Sequence, residues 1–174
     1  MKYSLILFIA FFICITQTTG QIKIDEAKIQ LTLPNASWKF IKKDNLGDNR
    51  FLYSCKRAPI TDNDGKKIIP NISIVTEPVP ENTDLIEYST QKQIEVPFKT
   101  IDVFSKSSGD KNLNMDYAIG YKGSYESNSI KHIIYVVHLI NGKCGVQIIM
   151  DMTESVFNNY VNEFISTIRS IKKK

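Results

Sequence analysis

From residue 156 to residue 171 the chain places Val156, Phe157, Tyr160, Val161, Phe164, Ile165, Ile168 and Ile171 three or four positions apart. This is the pattern of an amphipathic helix of roughly four turns, and so broad an apolar stripe is stable only when laid on another apolar surface. Thr153 is the expected N-cap, Glu154 complements the positive end of the helix dipole, and Arg169 with the following lysines complements the negative end. The residues just before it supply the surface. "MDYAIGYKGSYE" (115–126), "SIKHIIYVVHLI" (129–140) and "KCGVQIIMDM" (143–152) read as three long β-strands, the last two joined by a tight hairpin at Asn141-Gly142. The predicted fold class is α+β, an antiparallel β-sheet with helices packed on it.

The N-terminal half is consistent with this. "AKIQLTLP" (27–34) alternates apolar and polar residues, with Ile29, Leu31 and Leu33 on one face, and Pro34 ends it. "RFLYSCKR" (50–57) and "KKIIPNISIVTE" (66–77) flank "ITDNDG" as the arms of a hairpin, in which Asp64-Gly65 suits a turn and Pro70 points to a bulge or an edge. After "EPVP" (77–80), Thr83 is the expected cap of a helix over "DLIEYSTQKQIEV", "TIDVFS" (100–105) reads as a short strand, and "SSGDKNLN" (107–114) as an exposed loop.

Compartment follows from the first residues. Lys2, the apolar run from Leu5 to Ile15 and the polar "TQTTG" ending at Gly20 read as a signal peptide, too short in its apolar part to span a bilayer, with cleavage before Gln21. Ile13 before Cys14 does not suit lipidation. Of the 174 residues, 154 would remain after cleavage at residue 20, enough for one domain over 21–174 that folds without a disulfide framework. The chain holds 22 Lys+Arg against 18 Asp+Glu, so losing Lys2 leaves a net charge of +3. With the positive charge dispersed except at "WKFIKK" and the terminal "KKK", read as a solvated face and a frayed tail, no nucleic acid is expected as a partner. The expected protein is exported, periplasmic or secreted, with no stable membrane insertion after signal cleavage.

A first strand ending in "LP" and followed by Trp ("LPNASWKF"), a mid-chain helix after a Pro-containing strand, and a long antiparallel hairpin running into "FNNYVNEFISTIRSIK" are together similar to the PsbP-like fold, an α/β/α sandwich. That fold is shared by the extrinsic photosystem II subunit, a Ran-binding nuclear protein and many exported bacterial proteins of unknown role. The resemblance covers most of the chain after residue 20. It implies a non-enzymatic protein that works by binding other proteins, and it carries no site residues over.

Few residues offer chemistry. His132 and His138 share one strand, about 20 Å apart if it is straight, too far for one metal ion. Either histidine could act alone with Cys144 or an acid such as Asp116, and a lone histidine in a sheet is otherwise a hydrogen-bonded structural residue. "DNDG" (62–65) lacks the acids an EF-hand requires at flanking positions and reads as a turn. No catalytic residue, metal site or cofactor is therefore expected. Tyr117, Tyr121 and Tyr125 fall on one face of a strand with Met115 and Ile119; Tyr117 reads as core, while Tyr121 and Tyr125, beside Gly120 and Gly123, can reach a rim. Cys55 and Cys144 form a candidate disulfide closing a loop of about 90 residues, worth roughly 4–5 kcal/mol in the chain-entropy model. Two buried free thiols or a reactive Cys144 are the alternatives. The function expected is an exported non-catalytic binding or accessory protein acting through protein contacts, with Lys111, Tyr121 and Tyr125 as binding residues and an unknown protein partner. A small hydrolase or thiol enzyme using Cys144 or a histidine, and an envelope protein that neutralises or escorts a specific partner, are the alternatives.

Overall fold

A computed structural model describes residues 20–106 and 113–174. In chain order the elements are β1 (Gln21–Ile24), β2 (Ile29–Thr32), β3 (Trp38–Gly47), β4 (Arg50–Arg57), β5 (Ile60–Thr61), β6 (Lys67–Ile68), β7 (Asn71–Pro78), α1 (Leu85–Glu95), β8 (Lys99–Phe104), β9 (Ala118–Ser127), β10 (Ile130–Asn141), β11 (Cys144–Thr153), α2 (Glu154–Ser170) and β12 (Lys172–Lys173). β10 and β11 pair antiparallel from His132↔Thr153 to Asn141↔Cys144, and their turn consists of Gly142 and Lys143. Gly142 has φ +61, the positive angle that a type II′ hairpin turn needs at its first central residue. The expected hairpin is present, with its loop one residue later than Asn141-Gly142 suggested.

This hairpin lies inside a seven-stranded antiparallel sheet of order β3-β4-β7-β11-β10-β9-β8. Neighbouring residues of a strand point to opposite faces. Tyr135 on one face of β10 meets Phe157 and Phe164 of α2 at ring distances of 6.0 and 6.2 Å, while His138 on the other bonds to Ser89 of α1. The helices therefore cover opposite faces, and the α+β class takes the form of three layers, α/β/α. The core on the α2 face includes Ile72, Ile74, Tyr135, Val137, Ile148 and Met150, each at most 1% exposed. At Gly120 a Cβ atom would stand 2.1 Å from the Phe104 ring, and at Gly123 it would stand 2.3 Å from the Phe98 ring. These glycines make room for aromatic rings on the two faces of β9 rather than freeing the tyrosines between them.

Several local expectations change. Pro70 precedes β7 and separates it from β6, so β7 runs unbulged between β4 and β11 as an interior strand, and the "DNDG" turn closes only the short β5–β6 hairpin. "WKFIKK" begins β3, one edge of the sheet, whose two register shifts leave Ile41 and Leu46 as the extra residues. Lysines and bulges are devices that keep an edge strand from pairing with another chain. The cap of α1 is Asp84, whose side chain accepts from the N–H groups of Ile86 and Glu87, and not Thr83. The terminal lysines are not frayed: β12 pairs with β2, and Lys174 Nζ donates to Asp25 Oδ1 at 2.6 Å. β1, β2 and β12 make a small second sheet beside α2.

Trp38 is the residue that ties α2 to the sheet. Its indole N–H donates to Glu163 Oε2 at 2.6 Å, Arg57 donates to the same carboxylate from Nε at 3.0 Å and Nη2 at 3.2 Å, and Asn35 Nδ2 donates at 2.9 Å. Burial would raise the pKa of Glu163, but the donations of Arg57, Trp38 and Asn35 outweigh it and hold the carboxyl below its ordinary range. A depressed carboxylate stabilises the fold above its unfolded pKa and loses that contribution as pH falls towards its folded one. Replacing Glu163 by Ala leaves four donors without their acceptor and is expected to cost about 2–4 kcal/mol. Chemical denaturation at pH 7 measures this, and the loss shrinks as pH falls through the carboxylate range.

Candidate functional site

α1 covers only part of its face. Register carries that face from His138 to Gln147, from Gln147 to Val75 and from Val75 to Leu52. α1 lies on β9 and β10, whereas Leu52, Ser54, Ser73 and Val75 beyond it are half-exposed. The two histidines fall on either side of this division.

His138 is on the covered side and is 0% exposed. Its Nε2 lies 3.1 Å from the Gln147 amide nitrogen and its Nδ1 lies 2.8 Å from Ser89 Oγ, which in turn is 2.7 Å from the Tyr121 hydroxyl. With Gln147 donating to Nε2, the one ring proton sits on Nδ1 and is donated to Ser89, so His138 cannot act as a base towards that serine. Burial, followed by the charge of Lys92, pushes its pKa down to about 4. A histidine neutral in the fold and free to protonate when unfolded destabilises the fold as pH drops from the unfolded value near 6.5 towards 4. The expected loss is about 3 kcal/mol by pH 4. It is read from denaturation curves at pH 7 and pH 4, and a folded His138→Asn variant should lose that component.

His132 is on the open side. Its Nδ1 is 3.0 Å from Asp151 Oδ1, the Tyr125 hydroxyl donates to Asp151 Oδ2 at 2.9 Å, and the Tyr125 ring stacks on the imidazole at 4.7 Å. Burial, then the neighbouring Asp151 charge, raises the Tyr125 phenol above its ordinary pKa, so it remains a donor to the carboxylate. Asp151 orients the imidazole through Nδ1 and leaves Nε2 available. His132 and Asp151 form the floor of a cleft of about 630 Å³, walled by the β5–β6 hairpin, the β9–β10 turn and the start of α2. A second cleft of about 450 Å³, between α1 and the "EPVP" segment, already holds a cation: Lys92 Nζ lies 2.7 Å from Glu77 and 2.8 Å from Glu95.

The residues singled out by sequence are thus dispersed. Tyr125 belongs to the His132 cluster. Tyr121 is 8% exposed beneath α1, and Tyr117 is 66% exposed, the reverse of what a continuous strand face implied, because β9 starts only at Ala118. Met115, before the strand, packs in the α2-side core. Lys111 lies outside the described residues. Asp116 pairs with Lys106 in solvent, not with a histidine. Cys55 and Cys144 are both buried and free. Cys55 is in register with Ile72 and so with Met150, six positions along β11 from Cys144, or roughly 20 Å. A bond needs Cα atoms about 4.4–6.8 Å apart, so no bridge closes in this fold. Burial pushes the two thiols up to about 12 for Cys55 and about 11 for Cys144, which keeps both protonated and unreactive. Among the described residues no three His, Cys, Asp or Glu side chains are placed to hold a metal ion.

No protein-family model matches the chain, and no curated protein does. Solved structures share its fold. LpqN of Mycobacterium tuberculosis, described as involved in cell envelope biogenesis, superposes with a TM-score of 0.56 at 12% identity, covering 89% of this chain and 91% of LpqN. A protein of Bacteroides thetaiotaomicron superposes with a TM-score of 0.51 at 10% identity over 91% of this chain. The chain spans about half the length of that protein, 49%. No helix among the described residues is long and apolar enough to cross a membrane.

Proposed function

We propose that this is an exported binding or accessory protein of the cell envelope, PsbP-like in kinship, formed by one domain over residues 21–174 after removal of residues 1–20. It works by contact with another protein, and the cleft at His132 is its binding site. The observation that carries this reading is the unequal cover of one sheet face: α1 seals His138, whereas the oriented His132 fronts an open cleft beside half-exposed strand residues. Loops on a rigid sheet commonly carry recognition, and here two hairpin turns and a helix start converge on the imidazole. The fold shared with LpqN supports the envelope setting. Lys111, Tyr121 and Tyr125 are the residues sequence alone nominates; of these Tyr125 takes part through His132.

A second reading rests on the same dyad. An imidazole oriented by a carboxylate and presenting Nε2 is also the arrangement of a general base. The two readings separate in one experiment. With a partner captured from the envelope fraction and identified, His132→Gln and Asp151→Asn are expected to weaken its binding at least tenfold, about 1.4 kcal/mol, while both variants stay folded. Hydrolysis of an ester or peptide by the purified chain that disappears in His132→Gln would favour the enzyme, and a partner indifferent to both substitutions would refute the binding role of the cleft.

A further inference from the structure

Lys92 offsets only part of the charge in the cleft between α1 and the "EPVP" segment. Four carboxylates line it, Glu77 and Glu81 before the helix, Asp84 at its cap and Glu87 in its first turn, against the single ammonium of Lys92. Their ion-pair partners outside the lining are Arg50 on Glu77, Lys143 on Glu81 and Glu95 on Lys92. With these included, five carboxylates stand against three cations, two negative charges in excess, and the positive end of the α1 dipole, equivalent to about half a charge, does not cancel them.

The floor of this cleft also holds a polar group without a partner. Tyr88 is 4% exposed, and its hydroxyl makes no hydrogen bond among the described residues. Gly145 makes room for it: a Cβ there would stand 2.9 Å from the hydroxyl oxygen, and Gly145 is the register partner of Glu77. The phenol thus ends beside the Glu77 carboxylate. One oxygen of that carboxylate is held by Lys92 at 2.7 Å, while the other has only Arg50, at 3.9 Å and beyond hydrogen-bond reach. Burial, then the charge of Glu77, raises the phenol above its ordinary pKa, so it keeps its proton. A buried hydroxyl and a carboxylate oxygen that both lack partners are satisfied together by a group that brings N–H donors and positive charge. Pro78, Val79 and Pro80 give the same cleft an apolar wall, which suits the methylene stem of such a group.

We propose that this cleft is a second binding site, separate from that of His132, and that it takes an alkylammonium or alkylguanidinium group, either the side chain of a lysine or arginine on a partner chain or the same chemistry in a free amine. The charged head lies at Glu77 and Glu87, the Tyr88 hydroxyl accepts one of its N–H groups, and the stem lies along Pro78 to Pro80.

Calorimetric titration of the purified exported chain at low salt tests this. The cationic probes are Nα-acetyl-lysine amide, Nα-acetyl-arginine amide and cadaverine; Nα-acetyl-norleucine amide and Nα-acetyl-citrulline amide are the uncharged counterparts, and calcium chloride supplies a bare ion. A cationic amide is expected to bind about ten times more tightly than its uncharged counterpart, and binding of cadaverine alone assigns a free amine in place of a side chain. Glu77→Gln and Glu87→Gln should each weaken binding about tenfold, and Tyr88→Phe about threefold with the melting temperature unchanged, since its hydroxyl has no partner to lose. Glu126→Gln makes the same change of charge on an exposed residue at the opposite end of the sheet and should leave binding intact. Should Glu77→Gln fail to fold, Glu87→Gln and Tyr88→Phe decide. Uncharged counterparts binding as well as the cations, calcium binding more tightly than any organic cation, or no organic cation binding at millimolar concentration overturns the inference. Equal weakening by Glu126→Gln and Glu87→Gln, or a Tyr88→Phe variant that loses stability but binds normally, overturns it as well.

Discussion

Seven consecutive residues of β10, Ile133 to Leu139, are buried, and this single constraint organises the molecule. A strand buried on both faces requires cover on both, and its alternation assigns each side chain to one layer. Tyr135 and its odd-numbered neighbours form the dry face beneath α2. On the opposite face Ile134 and Val136 are apolar, but His138 must be satisfied by Ser89 and Gln147. α1 accordingly buries Tyr88, Ser89 and Lys92, and turns Ile86 and Ile94 outward at 58% and 76% exposure. It is held by polar bonds more than by an apolar stripe, and it extends no further across the sheet than those bonds require.

The periphery is tied to this centre by carboxylates. Glu163 joins α2 to the start of β3 and to β4, while Glu26, before β2, accepts from the Tyr53 hydroxyl and from Lys43 at 2.5 Å. Asn141 at the end of β10 donates to the Ala27 carbonyl at 2.7 Å, which secures the small sheet to the long hairpin. These anchors lie at the α2 side or at the hairpin tip. At the end of the sheet where the cleft of His132 opens, Glu154 pairs with Lys131 at 2.6 Å and Asp62 accepts from Ser155 Oγ at 3.4 Å.

Strong periodicity made α2 and the last three strands legible, because their apolar residues outnumber any competing pattern. Trp38 and the C-terminal helix stand out in the sequence as features of a fold, but the contact between them does not, since Glu163 stands among ordinary surface residues in the helical pattern. β3 is illegible in the sequence because an edge strand with exposed lysines lacks the alternation of a half-buried one. The turn at Asp48 and Asn49, with φ of 50 and 57, was the signal that could have revealed it. The sequence marks His132 without its partner. Taking Asn141-Gly142 as the loop puts Asp151 directly opposite His132, and the observed register puts it on the diagonal, so the hairpin alone held the pairing. What no local pattern could show is the extent of α1 across the sheet, and the cleft depends on that.

The central claim is that one sheet face is closed over His138 and open at His132. Modification of the native chain with diethyl pyrocarbonate, followed by peptide mass spectrometry, tests it directly, because the reagent attacks an accessible imidazole nitrogen. The expected result is modification of His132 in the native protein, with His138 reacting only after denaturation. Equal reaction of both histidines in the native state, or reaction of His138 first, would contradict the account.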